Sequence, residues 1–204
     1  FLLPEADPVD DVLEREEQVK ERVRVLLGRN GILFRELIQR EAPDFQWSRV
    51  FRSLRLMELS GEVVTGQFFE GIPGPQFMSH EAFRRVQAEL PDDRVYWMVA
   101  TDPASLCGVS VDALRGTLPR RVPSTHLVYQ GRDLVMVSQR SGKELTFNAL
   151  PDDARLSEHL IALRHLMYRT FQPVRSITVE TINGEDAGES GYIEALREWF
   201  EVRK

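Results

Sequence analysis

The sequence predicts an α+β protein in two parts, on three observations. Apolar residues recur at helical spacing from Val12 to Met57. The period shortens toward alternation after Gly61. Short β-type segments separated by turn sequences then fill residues 126–150. Composition agrees, because 42% hydrophobic and 28% charged residues in a 204-residue chain are the proportions of a globular protein. No apolar run approaches the ~20 residues of a membrane helix, so the expectation is a soluble, cytoplasmic protein with no membrane partner.

Pro4 and Pro8 make residues 1–8 an extended lead-in. Asp10, Asp11, Glu14, Glu16 and Glu17 then suit a helix N-terminus. Val12, Val19, Val23 and Leu26 share that helix's apolar face, and Gly28 is its expected C-cap. Residues 32–34 form an extended link, and a second helix over 35–41 is stopped by Pro43. The third helix covers residues 46–60, with Trp47, Val50, Phe51, Leu54 and Met57 on one face. Arg49 and Arg52 lie opposite, Arg55 on the flank, and Gly61 ends the helix. Residues 62–69 read as two β segments around Gly66, and a loop over 71–75 leads to a third at 76–78. A helix over 79–90 follows, with Ser79 as N-cap and Glu81 and Glu89 on its polar side. Three helices followed by a hairpin is the order of a winged helix, a helix-turn-helix with a β wing. It is placed at residues 9–90.

Pro91-Asp92-Asp93 breaks the chain and opens a second domain, residues 91–204. A strand over 95–100 leads through an irregular stretch and a loop at 118–125. Strands at 126–129, 134–138 and 144–147 are joined by Gln130-Gly131-Arg132-Asp133 and Arg140-Ser141-Gly142-Lys143, an antiparallel meander. A helix over 156–171, a strand over 177–182, a turn at Asn183-Gly184 and a helix over 191–200 complete an α+β domain. Its sheet is expected to be largely antiparallel, with a barrel-like form as an option.

Most catalytic constellations are absent. Ser141-Gly142-Lys143-Glu144 lacks the upstream glycine of a phosphate-binding loop, and no GxGxxG or GxSxG occurs. Of four histidines only His159 and His165 share a helix, at the wrong spacing for one metal ion. Cys107 stands alone, so a buried thiol is favoured over a Cys107/His126 nucleophile pair. No catalytic residue, cofactor site or metal site is expected in this chain.

Charge is the remaining signal. The net charge of −6 argues against global attraction to nucleic acid. Yet between positions 29 and 55 six arginines (29, 35, 40, 49, 52, 55) face three acids (Glu36, Glu41, Asp44). Arginine's planar fork suits phosphate oxygens. Arg49, Arg52 and Arg55 are therefore candidate phosphate contacts, with Gln46, Ser48 and Ser53 as neutral companions. Gln67 and Phe68 in the wing, and Arg132, Arg140 and Lys143 in the hairpin turns, are further candidates. Either Phe68 or Phe69 faces outward, since strand neighbours point to opposite faces. Arg115, Arg120 and Arg121 form another basic group.

Several segments resemble the large helicase-related (Lhr) family of bacterial superfamily 2 helicases, in the region after the ATPase lobes. They are residues 51–64 (FRSLRLMELSGEVV), 66–71 (GQFFEG), Gln76-Phe77, 100–104 (ATDPA) and 179–185 (VETINGE). The resemblance spans roughly residues 20–204 in the family's order. It implies a longer parent whose two ATPase lobes, with ATP and Mg²⁺, drive 3′-to-5′ translocation in DNA repair. This chain is then a fragment, a non-catalytic C-terminal module guiding single-stranded DNA or a forked duplex, or an RNA:DNA hybrid, beside the parent's own lobes. A weaker likeness is to winged-helix DNA glycosylases. Alternative readings are a protein-docking winged helix, a glycosylase-like enzyme and a dimeric transcription regulator.

Overall fold

The computed structural model describes residues 12–88 and 91–202. The lead-in expected over residues 1–8, the acids Asp10 and Asp11, the side chain of Val12, and Glu89 lie outside the described residues.

Helix α1 (Val12–Asn30) buries Val23, Leu26 and Leu27, with Val19 partly covered. It runs past Gly28, so the expected C-cap is corrected. Asn30 Nδ2 donates to the Leu26 carbonyl at 3.0 Å, and the turn that ends the helix is made by Gly31 at φ +72°. There the Gly31 N–H donates to the Leu27 carbonyl at 2.7 Å, a left-handed cap that glycine adopts without strain.

Strand β1 (Ile32–Leu33) leads into α2 (Arg35–Ile38), which is one turn long and stops short of residue 41. A 3₁₀ turn at Pro43–Phe45 joins it to α3 (Trp47–Leu59). The wing is β2 (Val63–Gly66) against β3 (Gln76–Ser79), and β1 adds to β3, giving a three-stranded antiparallel sheet in the order β1-β3-β2. Only the segment up to Gly66 is a strand, contrary to the sequence reading, because Phe68 and Phe69 bond to a side chain instead of a neighbouring strand. In α4 (His80–Gln87) the Ser79 hydroxyl accepts from the Ala82 N–H at 3.1 Å, the expected N-cap.

The chain divides into two compact units. The first holds residues up to 89 together with Val109–Thr117. Its core joins Leu26, Leu33, Leu37, Leu54, Met57 and Phe77, and Val109 and Val111 close it.

The second unit holds residues 90–108 and those from 118 on. Strands β4 (Val95–Val99), β5 (His126–Gln130), β6 (Asp133–Gln139) and β7 (Glu144–Phe147) form an antiparallel sheet. After α5 (Leu156–His159) and α6 (Ile161–Tyr168), β8 (Thr181–Ile182) pairs parallel to β7, and β9 (Glu185–Asp186) closes the order β4-β5-β6-β7-β8-β9. Helix α7 (Ile193–Trp199) follows. The sheet is open, with β4 and β9 as its edges, so the barrel-like alternative is not realised. The long helix expected at 156–171 is two helices, and the strand expected at 177–182 pairs through Thr181 and Ile182. Val128, Met136 and Leu145 pack with Leu160, Leu163 and Ile182 on one face of this sheet, while Leu127 and Val137 pack with Ala100 and Cys107 on the other. Among the described residues no helix is long and apolar enough to cross a membrane.

Candidate nucleic-acid interface

Helix α3 positions the main candidate side chains. Val50, Ser53, Leu54 and Met57 form its inner stripe, which leaves Gln46 at its N-cap and Ser48, Arg49, Arg52 and Arg55 exposed. Ser53 is the exception to the sequence reading. It stands three residues after Val50 and four before Met57, so it faces the core at 6% exposure and is not a phosphate companion.

The exposed arginines differ in their surroundings. Arg52 Nη2 meets Glu16 Oε1 of α1 at 2.7 Å, and Arg55 pairs with Glu58 one turn along. Among the described residues the Arg49 guanidinium has no ion-pair partner. Such exposed pairs are worth ~0–1 kcal/mol, so a phosphate can replace the carboxylate. Arg24 behaves differently. It gathers Glu62 (Nη2 to Oε2, 3.2 Å), Glu17 (3.0 Å) and Glu21, and ties α1 to the start of the wing. The hydrogen bond from Arg24 holds the Glu62 carboxyl below its ordinary range.

The wing loop is organised by Gln76, which is fully buried. Its Oε1 accepts from the N–H groups of Phe68 (3.0 Å) and Phe69 (2.9 Å), and its Nε2 donates to the carbonyls of Phe69 (2.9 Å) and Ile72 (3.3 Å). Phe68 turns back onto Phe83, ring centroids 5.8 Å apart, and Phe69 is the aromatic presented outward, at 45% exposure. Gln67 is also exposed.

The hairpin-turn cations of the second unit are all ion-paired. Arg132 faces Asp92 at 3.6 Å, Arg140 bonds Glu144 (2.8 Å) and Glu180 (3.2 Å), and Lys143 bonds Glu180 at 2.8 Å. The Lys143 hydrogen bond, helped by Arg140, pulls the Glu180 carboxyl below its usual value. Of the other basic group, Arg115 pairs with Asp112. Arg121 caps a loop, donating to the carbonyls of Ala100 (3.0 Å), Thr101 (2.8 Å) and Asp102 (2.9 Å). Arg121 is structural.

Cys107 is buried among apolar side chains, and burial also pushes the Tyr129 phenol up to about 12. Among the described residues no cluster of histidines, cysteines or acids could hold a metal ion. Sequence reasoning missed Gln76 and the acids Glu16 and Glu180. A lone glutamine at a strand start carries no periodic signal, and the two acids lie 36 and 37 residues from the cations they meet, Arg52 and Lys143.

The family model for the winged-helix domain of large helicase-related proteins matches residues 12–98. Over residues 12–98 the chain is similar to that winged-helix domain. The match covers residues 51–64, 66–71 and 76–77 of the segments that carried the resemblance and does not reach 100–104 or 179–185. By its description the matched domain is one found in helicase-related proteins. No curated protein matches the chain.

Proposed function

We propose that this chain is a non-catalytic, nucleic-acid-binding module of an Lhr-type ATP-dependent 3′-to-5′ translocase, and that it guides single-stranded DNA during unwinding. The observation that carries the reading is the exposed row Arg49, Arg52 and Arg55 on the second helix of the helix-turn-helix, with Gln46 and Ser48 at its start. Residues three apart on a helix are neighbours, so the row presents three guanidinium forks to one stretch of backbone. The anionic strand displaces Glu16 and Glu58 from Arg52 and Arg55, and Arg49 engages it directly. Phe69 at the wing tip supplies the aromatic beside the strand. ATP, Mg²⁺ and the work of translocation belong to the parent's lobes in this reading, and DNA repair is the setting the family supplies.

The test is a salt series. Fluorescence anisotropy of the chain with a labelled single strand and a forked duplex should give an affinity that falls linearly in log–log salt. Each phosphate contact removed, as in Arg49→Ala or Arg52→Ala, should flatten the single-strand slope by about 0.7. Salt-independent or absent binding to both ligands would sink the reading. One observation favours a second reading, a docking helix: Leu56 and Leu59 are exposed on α3, the latter at 80%. In that case Leu59→Lys, and not Arg49→Ala, would remove the module's partner.

A further inference from the structure

We propose that α6, its C-terminal exit and the end of α7 form a second contact site, a stacking platform for single-stranded nucleic acid. Tyr168 and Phe171 stack on bases there, and Arg164, Arg169 and Arg175 hold the backbone. The site deepens the nucleic-acid reading and lies in the second unit, outside the residues matched to the family.

Charge marks the segment first. Between Glu158 and Glu180 there is no acid, yet Arg164, Arg169 and Arg175 all fall within it. The arginines of α3 and of the hairpin turns mostly meet carboxylates; among the described residues these do not. The Arg164 guanidinium lies 4.5 Å from the Trp199 ring centroid, a cation–π contact that leaves its charge uncancelled. Arg169 Nε donates to the Gln172 carbonyl at 2.9 Å, and Arg175 is exposed with no ion-pair partner among the described residues.

The aromatics mark it second. Tyr168 is 72% and Phe171 77% exposed, although each carries apolar area that folding ordinarily covers. Arg164 and Tyr168 stand four residues apart and so share one face of α6. The helix ends at Tyr168, since Arg169 turns to extended backbone, which carries Phe171 onward past the helix end. Rings and guanidinium groups therefore alternate along one short path.

A groove of about 1060 Å³ adjoins that path, and Tyr168, Arg175, Leu163, Ile177 and Phe200 are among its lining residues. Asp186, Glu189 and Glu201 line it too. Acids repel phosphates, so the backbone is held by the arginines outside the groove and the apolar lining is left to an unstacked base. Ring faces pair with bases only where the bases are unpaired, so the fitting ligand is a single strand and not a duplex.

The test uses the whole chain and fluorescein-labelled oligo(dT) of twenty nucleotides, with a duplex of the same length as control. Tyr168→Ala with Phe171→Ala should weaken oligo(dT) binding by roughly tenfold or more, as loss of base stacks does. The duplex affinity and the salt slope should not change, and Tyr168→Trp with Phe171→Trp should restore binding. Arg49→Ala with Arg52→Ala, run alongside, reports on α3 separately. Unchanged oligo(dT) affinity in the ring-deleted variant overturns the platform and makes the exposed rings a protein-contact surface, whatever α3 does. Equal losses on duplex and single strand also overturn it. Weakening in the ring-deleted variant alone supports the platform and counts against α3. Absence of oligo(dT) binding by the unaltered chain at low salt overturns the platform, and the forked duplex then decides α3.

Discussion

Gln76 holds the wing tip in shape with one side chain. Four backbone groups of residues 68–72 have the Gln76 amide as partner, and the amide is fully buried. Removing it leaves those groups to water or to nothing, and an unmet buried group costs ~1–3 kcal/mol. Gln76→Ala is expected to lower unfolding stability by about 2–3 kcal/mol in a urea titration and to speed hydrogen exchange at the Phe68 and Phe69 amides. Gln76→Glu keeps the acceptor but sets a buried carboxylate against the Phe69 and Ile72 carbonyls, and should cost at least as much as Gln76→Ala. Two buried histidines set a second dependence, on pH. Burial lowers the pKa of His126, with Arg169 and His165 adding repulsion, and burial likewise lowers that of His159, whose Nε2 lies 2.8 Å from Gln130 Oε1. Among the described residues their Nδ1 atoms are buried without partners. The unfolded chain therefore binds more protons than the native one below the free-histidine value of ~6.5. Stability should be full above about pH 7 and should fall toward pH 5, by up to about 1.4 kcal/mol per pH unit for each histidine. Thermal midpoints at pH 7.5, 6.5 and 5.5 check this, and His126→Phe should flatten the curve.

At the scale of the element, α3 carries two opposed stripes, and its outer one is free to bind because it contributes little to the fold. Arg52→Ala breaks only an exposed pair to Glu16, so the expected change in stability is below ~0.5 kcal/mol. Any loss of affinity in that variant then belongs to binding, which a thermal melt alongside the anisotropy titration verifies. This helix was the most legible part of the sequence, because thirteen residues of 3.6-residue period determine which side is buried. Ser53 broke the pattern because a small hydroxyl fits the inner stripe as well as the outer one. The wing was half legible. Its strands alternate, but the conformation of residues 67–75 depends on where one amide reaches, and no spacing rule encodes that. In the second unit the meander was readable from its turn sequences, whereas the division between α5 and α6 was not. Leu160 breaks the helical dihedrals there with neither Pro nor Gly to announce it. The charged candidates were legible as residues and not as an environment. Lys143 meets Glu180 only because β8 lies beside β7.

For the whole molecule, the first unit depends on a segment that follows part of the second in sequence. Val109 and Val111, at 8% and 4% exposure, pack in the core built by α1, α3 and the wing sheet. Residues 109–117 belong with that core although residues 90–108 belong to the other unit. The match to the Lhr winged helix ends at residue 98, before this segment, so the matched domain and the folded unit are not the same stretch of chain. Each buried methylene is worth ~0.8 kcal/mol before any cavity cost. Val109→Ala with Val111→Ala should therefore destabilise the first unit by about 3 kcal/mol, a large part of the 5–15 kcal/mol typical of a domain. The second unit should be spared. Tryptophan placement makes the two separable: Trp47 reports on the first core, while Trp97 and Trp199 lie in the second unit. With Trp97 and Trp199 replaced by Phe, urea titration of Trp47 fluorescence should show the lowered midpoint. With Trp47 replaced instead, the titration should follow the unaltered second unit. A fall in both signals by the same amount would mean that the units unfold as one body, and a fall in the second alone would assign residues 109–117 to the other core.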